Sequence, residues 1–294
     1  MQAVADAVAQ HAVAILLCIA ALMLVMITVL WHFIEKYGRT LWSGAVWAWN
    51  ALRASTLASH LRRVPGLKPA LTHTLTAGRY LGGYAIVSFV AALAALAAFF
   101  ELADDIGVNE ELAKFDLALS QSLAEHLSRE LLEATASITR LGNATFLIPL
   151  GVGVTIVLLL TRRTLLAFAW AIATSCGALL NLLLKSIFER ARPVHEHGVL
   201  LADGWSFPSG HASGSMLVYG LLGYLVIRHS PRIWHLPVAM LCATLIVFVG
   251  FSRVLLQVHY LSDVLAGYVS AAAWGALCIA GLEAVRWREG QRQP

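Results

Sequence analysis

The chain has 294 residues, of which 59% are hydrophobic and only 13% charged. A soluble globular protein carries about 25% charged residues, so this composition excludes an ordinary soluble domain, a disordered chain and a nucleic-acid-binding module. The net charge of +4 fits the positive-inside bias of a membrane protein better than a nucleic-acid partner.

Runs free of Asp, Glu, Lys and Arg predict seven membrane-spanning helices, at about 12–34, 80–100, 141–161, 164–184, 208–227, 233–252 and 264–282. Each approaches the roughly 20 apolar residues that cross a hydrocarbon core. No Lys or Arg precedes the first run, and it has no clear small-residue cleavage site. It therefore reads as a retained helix and not as a signal peptide. The following segment, 35–79, carries Lys36, Arg39, Arg53, Arg62, Arg63, Lys68 and Arg79 against the single acid Glu35. That excess places it in the cytoplasm. Within it, Trp42, Trp47 and Trp49 mix with Arg53, Arg62 and Arg63 across 41–64. Two readings stand side by side: an interfacial helix on the anionic inner leaflet, or a linker with belt tryptophans.

The acidic stretch 101–133 follows the second span and is expected on the outer side. Within 115–131, Phe115, Leu119, Leu123, Leu127 and Leu131 recur every four residues, which predicts an amphipathic helix lying on the outer membrane surface. Alternation brings Arg162 and Arg163, Arg228 and Arg232, and Arg286, Arg288 and Arg292 to the cytoplasm. The expectation is an N-terminus outside and a C-terminus inside, fitting a bacterial inner membrane. Cys18, Cys176, Cys242 and Cys278 all lie in apolar runs and read as small core residues.

Polar residues emerge at three places on the predicted outer face. Lys185, Arg192 and Pro193 end the fourth span. Pro208, Ser209, Gly210 and His211 open the fifth. Ser252, Arg253, His259 and Asp263 lie between the sixth and seventh. Lys185 and Arg192 are seven apart, so on a helix they share a face. With Arg253 they offer three cations to a phosphate dianion. Ser209 and Gly210 fall at a helix start, where free N–H groups bind anions and glycine permits close approach. Pro208 suits such a start. Asp263, one turn beyond His259, can hold the imidazole by one nitrogen and leave the other free to attack. His211 can protonate a departing alkoxide. This is a phosphoryl-transfer site that needs neither metal nor cofactor, because the cations neutralise the developing charge.

The stretches KSIFERARP (185–193), PSGH (208–211) and SRVLLQVHYLSD (252–263) resemble the signature of the type 2 phosphatidic acid phosphatase superfamily: K-x6-R-P, P-S-G-H and S-R-x5-H-x3-D. All eleven specified residues are present at the right spacing. The resemblance covers about 80–284. It implies an all-α integral membrane bundle with a six-helix phosphatase core (80–284). An added transmembrane helix and cytoplasmic segment (1–79) precede it, and a short tail (285–294) follows. It also implies that His259 is a nucleophile forming a phosphohistidine, that Asp263 is its partner and that His211 is the general acid. Lys185, Arg192, Ser209, Gly210 and Arg253 would be the phosphate-binding set, with no metal.

The expected function is a metal-independent lipid phosphatase acting on an outer-leaflet phosphomonoester or diphosphate. Phosphatidic acid, phosphatidylglycerophosphate, undecaprenyl diphosphate and a lipid A phosphate all present the same group. Its partners would be that lipid and the bilayer, with no nucleic acid; oligomeric state leaves no mark in the sequence. A phosphotransferase passing the same phosphate to an alcohol is the alternative. A transporter fits less well, because transporters place charge near the midplane and these span interiors carry none. Beside the motifs, His195, Glu196 and His197 with Asp203 could hold a divalent metal, but a solvated loop at the mouth of the site is the favoured reading, and contact with the substrate headgroup is the alternative. Asn181 and Ser175 read as interhelical hydrogen bonders. Trp205 and Phe207 read as lipid-entrance lining or interfacial anchors.

Overall fold

Long apolar stretches with few breakers fold as helices, because in hydrocarbon each backbone N–H and C=O must find its partner within the segment. In the structure, a computed structural model, residues 2–54, 83–107, 110–194, 199 and 202–290 are described. Among the described residues, ten α-helices run α1 (Gln2–Gln10), α2 (Ala12–Ala54), α3 (Gly83–Asp104), α4 (Glu111–His126), α5 (Arg129–Thr139), α6 (Ala144–Leu160), α7 (Thr164–Phe188), α8 (Gly210–His229), α9 (His235–Leu255) and α10 (Leu261–Gly290). Short 3₁₀ turns at Arg140–Gly142 and Arg232–Trp234 lead into α6 and α9. No strand occurs among the described residues. Among the described residues, seven stretches are long and apolar enough to cross a membrane, from Ala12–Tyr37 to Leu261–Arg286. They coincide with the seven expected runs to within a turn or two at most ends; the third is extended at its start by α5 and the 3₁₀ turn.

The spans are not equivalent. α8 is the central one, with Ala212, Ser213, Ser215, Leu217 and Val218 among its buried positions. It packs against α9 and α10, and α10 also lies along α3. α6 buries only Leu147 and Leu158, packs mainly on α7, and presents Ile148, Val152 and Leu160 outward, as a lipid-facing helix should. Small residues let the central helices approach closely, the usual device where lipid removes the hydrophobic drive. Gly267 of α10 shows it: a Cβ there would sit 2.7 Å from the Ser209 carbonyl oxygen and 3.2 Å from the Ser213 nitrogen. This contact brings the start of α8 against the start of α10.

Two expectations change. The 115–131 amphipathic segment is not one helix. α4 ends at His126, and Ser128 caps α5 by accepting from the Leu131 N–H at 3.4 Å, since a serine side chain there competes for the backbone. Its apolar face does not look to lipid either. Leu119 and Leu123 are buried with Ala5 and Ala9 of α1 and with Val254, Leu255 and Val264 of the core. Packing on protein covers the stripe that the sequence pattern assigned to the membrane surface. In the 41–64 segment, α2 continues as helix to Ala54, and 55–64 lie outside the described residues. At the far end of the bundle Arg232 pairs with Glu35 at 2.9 Å, tying α2 to the turn before α9.

Candidate active site

Three chain segments meet at one end of the bundle. The first leaves α7 at Glu189, which adopts the left-handed conformation (φ 44°) that ends the helix. Pro193 disfavours helix for the residue before it. Arg192 therefore does not share a helix face with Lys185, as the seven-residue spacing suggested. It reaches the site from an extended segment. Lys185, still on α7, donates to the Trp205 carbonyl and, at 3.4 Å, to that of Ser206. Arg192 donates to the carbonyls of Asp203 (3.0 Å), Gly204 (2.9 Å), Trp205 (3.2 Å) and Val258 (2.7 Å). Both cations thus shape the 203–206 loop. Gly204 turns that loop at φ 73°, a conformation that suits glycine.

The second segment enters α8. Phe207 is fully buried, with ring centroids 4.9 Å from Phe188 and 5.8 Å from Phe99. It is an aromatic anchor inside the protein, not a lipid-facing residue, while Trp205 stays partly exposed. The Phe207–Pro208 peptide is cis, and Asn181 donates to the Pro208 carbonyl at 3.4 Å. Asn181 therefore braces the entrance of α8, whereas Ser175 lines a cavity described below. α8 begins at Gly210 with Ser209 as its N-cap. The Ser209 N–H is spent on the Asp263 carbonyl at 2.9 Å and the Ala212 N–H on Ser209 Oγ at 3.5 Å, so the Gly210 and His211 N–H groups are the ones the helix start offers. His211 Nε2 lies 2.7 Å from Asn143 Oδ1.

The third segment links α9 to α10. Arg253 is buried, donates to Thr139 Oγ1 at 3.0 Å, and keeps a buried Nε without a partner. His259 is 3% exposed. Its Nδ1 lies 3.3 Å from Asp263 Oδ2 and its Nε2 3.0 Å from Arg192 Nη1. A guanidinium only donates and a carboxylate only accepts, so the proton sits on Nδ1 and the Nε2 lone pair points at the cations. Burial is the main force lowering the His259 pKa to about 4, with Arg192 and Arg253 adding to it against the pull of Asp263. Lys185, Arg192, Arg253 and His259 all lie within electrostatic reach of His211. The eight residues singled out from the motifs therefore converge on one spot.

Several participants carry no motif. Arg190 donates to Asp263 Oδ1 at 2.7 Å, to Ser262 Oγ at 2.6 Å and to Asp116 Oδ2 at 2.9 Å. Ser206 donates to Asp263 Oδ2. Asp116 was legible in principle: it falls three and seven residues before Leu119 and Leu123, an acid in the apolar stripe of α4. Burial raises its pKa, opposed by Ser262 and Arg190. Asn143 left no such sign. The pair His195 and His197 lies outside the described residues, and no group of three potential metal ligands occurs among those described.

Beside the site, a cavity of about 740 Å³ opens between α6, α7 and α8. It runs from Gly142 and Gly210 down to Gly151, Thr155 and Ala171 and is mostly apolar.

Comparison with known proteins bears on the same residues. Residues 164–287 match the PAP2 superfamily. Phosphatidylglycerophosphatase B of Bacillus subtilis (strain 168) is 36% identical over 143 residues, covering 46% of this chain and 68% of that protein. The crystal structure of a transmembrane PAP2-type phosphatidylglycerolphosphate phosphatase from Bacillus subtilis superposes with a TM-score of 0.59 at 29% identity, covering 69% of this chain and 98% of that one. With the three motif segments gathered at one end of a helical bundle and a relative of this likeness, the chain belongs to the PAP2 superfamily.

Proposed function

We propose that this protein, an integral membrane hydrolase of lipid phosphates, removes the terminal phosphate of phosphatidylglycerophosphate or a related outer-leaflet lipid through a phosphohistidine. The observation that carries this reading is the chain Arg192–His259–Asp263. It fixes the tautomer of a neutral imidazole and aims Nε2 into a group of cations.

In the first step the Nε2 lone pair attacks phosphorus. The N–P bond forms as the P–O bond to the lipid breaks, and His211 gives its proton to the departing alkoxide. Asn143 holds one nitrogen of His211 and thereby orients the ring. Arg192 Nη1 exchanges its bond to Nε2 for a phosphoryl oxygen. Lys185, Arg253 and the first-turn N–H groups of α8 take the remaining oxygens. In the second step water attacks phosphorus, His211 takes its proton, the N–P bond breaks and inorganic phosphate leaves. No metal enters either step.

The apolar cavity supports a lipid substrate, since it begins beside Gly210 and descends along lipid-facing α6, where an acyl chain would lie. We read residues 80–284 as the catalytic core and 1–79 as an addition. We place the site on the outer face, because Arg162, Arg163, Arg228 and Arg232 mark the opposite end of the bundle. Phosphate release from a panel of lipid phosphates in detergent, with EDTA present and His259→Ala as control, tests the reading. Release abolished in the variant supports it. Wild-type release by His259→Ala overturns the phosphohistidine, and a phosphorylated acceptor in place of free phosphate makes the enzyme a transferase.

A further inference from the structure

The mechanism above uses Asp263 only through His259, yet most of its contacts lie elsewhere. Its Oδ2 accepts from Ser206 Oγ, from the Tyr260 N–H at 2.9 Å and from His259 Nδ1 at 3.3 Å. Its Oδ1 accepts from Arg190 at 2.7 Å. Asp263 is fully buried, and the Arg190 side chain is 12% exposed. The guanidinium lies over the Tyr260 ring, 4.4 Å from its centroid. On its other side stands Asp116, 1% exposed, which accepts from Arg190 at 2.9 Å and from the Ser262 N–H at 3.2 Å. Ser262 Oγ also donates to Asp116. One buried guanidinium is thus shared by two carboxylates, one on the extramembrane helix α4 and one on α10.

We propose that Arg190 is a positioning residue for the nucleophile, and that Asp116 holds it in place, so that α4 is a working part of the active site. The inference rests on the phosphohistidine reading above. Three points of physical chemistry carry it. A carboxylate that must orient an imidazole has to be fixed itself, and a planar guanidinium that donates from Nη1 to Asp263 and from Nη2 to Asp116 does this where the single ammonium of a lysine could not. An arginine bonded to Asp263 alone would take up much of the charge that stabilises the developing cation on His259. Asp116 shares that guanidinium and leaves Asp263 more of its field. Finally, Arg190 donates to no atom of the cradle: its partners are Asp116, Ser262 and Asp263, whereas Arg192 bonds His259 directly. Arg190 and Arg192 stand two apart in the sequence and serve opposite sides of the same histidine.

The test is steady-state hydrolysis of phosphatidylglycerophosphate in detergent micelles by Arg190→Gln, Arg190→Lys and Asp116→Asn. Each is made alone and in an Asp263→Asn background, with thermal unfolding followed in parallel. A small misplacement of a reacting group costs up to about a hundredfold in rate. Arg190→Gln and Arg190→Lys are expected to lower kcat about ten- to a hundredfold, and Asp116→Asn about tenfold, with KM held within about twofold. In the Asp263→Asn background each second substitution should cost less than about twofold, because residues acting through one group are not additive. Wild-type kcat in all three variants overturns the proposal. So does a raised KM at unchanged kcat, which would make Arg190 a phosphate ligand, or a loss that persists in full without Asp263. Loss of fold in all three assigns the cluster to stability alone and also overturns it. Turnover by His259→Ala would instead sink the underlying reading. An inactive His259→Ala beside unaffected Arg190 variants sinks only this one.

Discussion

The helices α8 and α10 carry a buried cluster of charge at each end, and the two clusters are built differently. At one end Asp263, His259, Arg190, Arg192, Arg253 and, on α8, His211 come from three chain segments, and the His259 Nε2 lone pair faces a set of cations. At the other end Glu283 of α10 accepts from Tyr224 and, at 3.4 Å, from Arg228, both on α8. Arg286 of α10 stands 3.9 Å away. There one carboxylate is held between two neighbouring helices with cations partly open to solvent. The first arrangement orients a lone pair and gathers charge around it; the second joins two helices. Buried charge alone therefore does not mark a catalytic site. What marks it is a convergence of separate segments on an atom left able to react.

The largest expected effect breaks the first cluster. His259→Ala should lower phosphate release by at least about a thousandfold, with the thermal unfolding midpoint nearly unchanged. His211→Ala and Arg253→Ala should abolish turnover comparably in the same assay. Asp263→Asn keeps the shape but loses the charge and the tautomer control, and a loss of about 10²–10⁴ in kcat is expected. Gly267→Ala tests the helix contact beneath the site. Its Cβ would lie 2.7 Å from the Ser209 carbonyl oxygen, so the start of α8 must shift. A destabilisation of about 1–3 kcal/mol, read by thermal unfolding, should accompany a clear fall in activity.

Glu283→Gln probes the second cluster. Activity should stay within about twofold of wild type while stability falls by about 1 kcal/mol, small because Arg228 is well exposed and screened. A large loss of activity there would erase the distinction between the two ends. The smallest effect concerns pH. With its pKa lowered to about 4, His259 should stay neutral at pH 5–8 and gain a proton only as the pH falls through about 4. Because protonation removes the Nε2 lone pair, the sign is a loss of His259 reactivity on acidification. Histidine ring shifts in labelled protein would show this; a midpoint near 6.5 would contradict the burial argument.

Much of this was legible in residue order. Runs without charge give the seven spans, because a helix in hydrocarbon cannot expose charge cheaply. The motif residues His259, Asp263, His211 and Arg253 are identified by type and spacing. The seven-residue spacing that sets Arg192 on the Lys185 face of a helix does not hold, since helix periodicity fails once Glu189 ends α7. The amphipathic period of 115–131 was real, yet periodicity shows that a face is apolar and not what covers it.

The sequence by itself determined the membrane class, the spans and the motif residues proposed to react, because these depend on local composition and fixed spacings. The tertiary structure alone decided the supports. Asp116, Asn143 and Thr139 lie 74, 68 and 114 residues from their partners Arg190, His211 and Arg253 along the chain, and no local pattern spans such distances. Which carboxylate shares the Arg190 guanidinium, and which face of α4 meets α1 and the core, follow from how the helices pack.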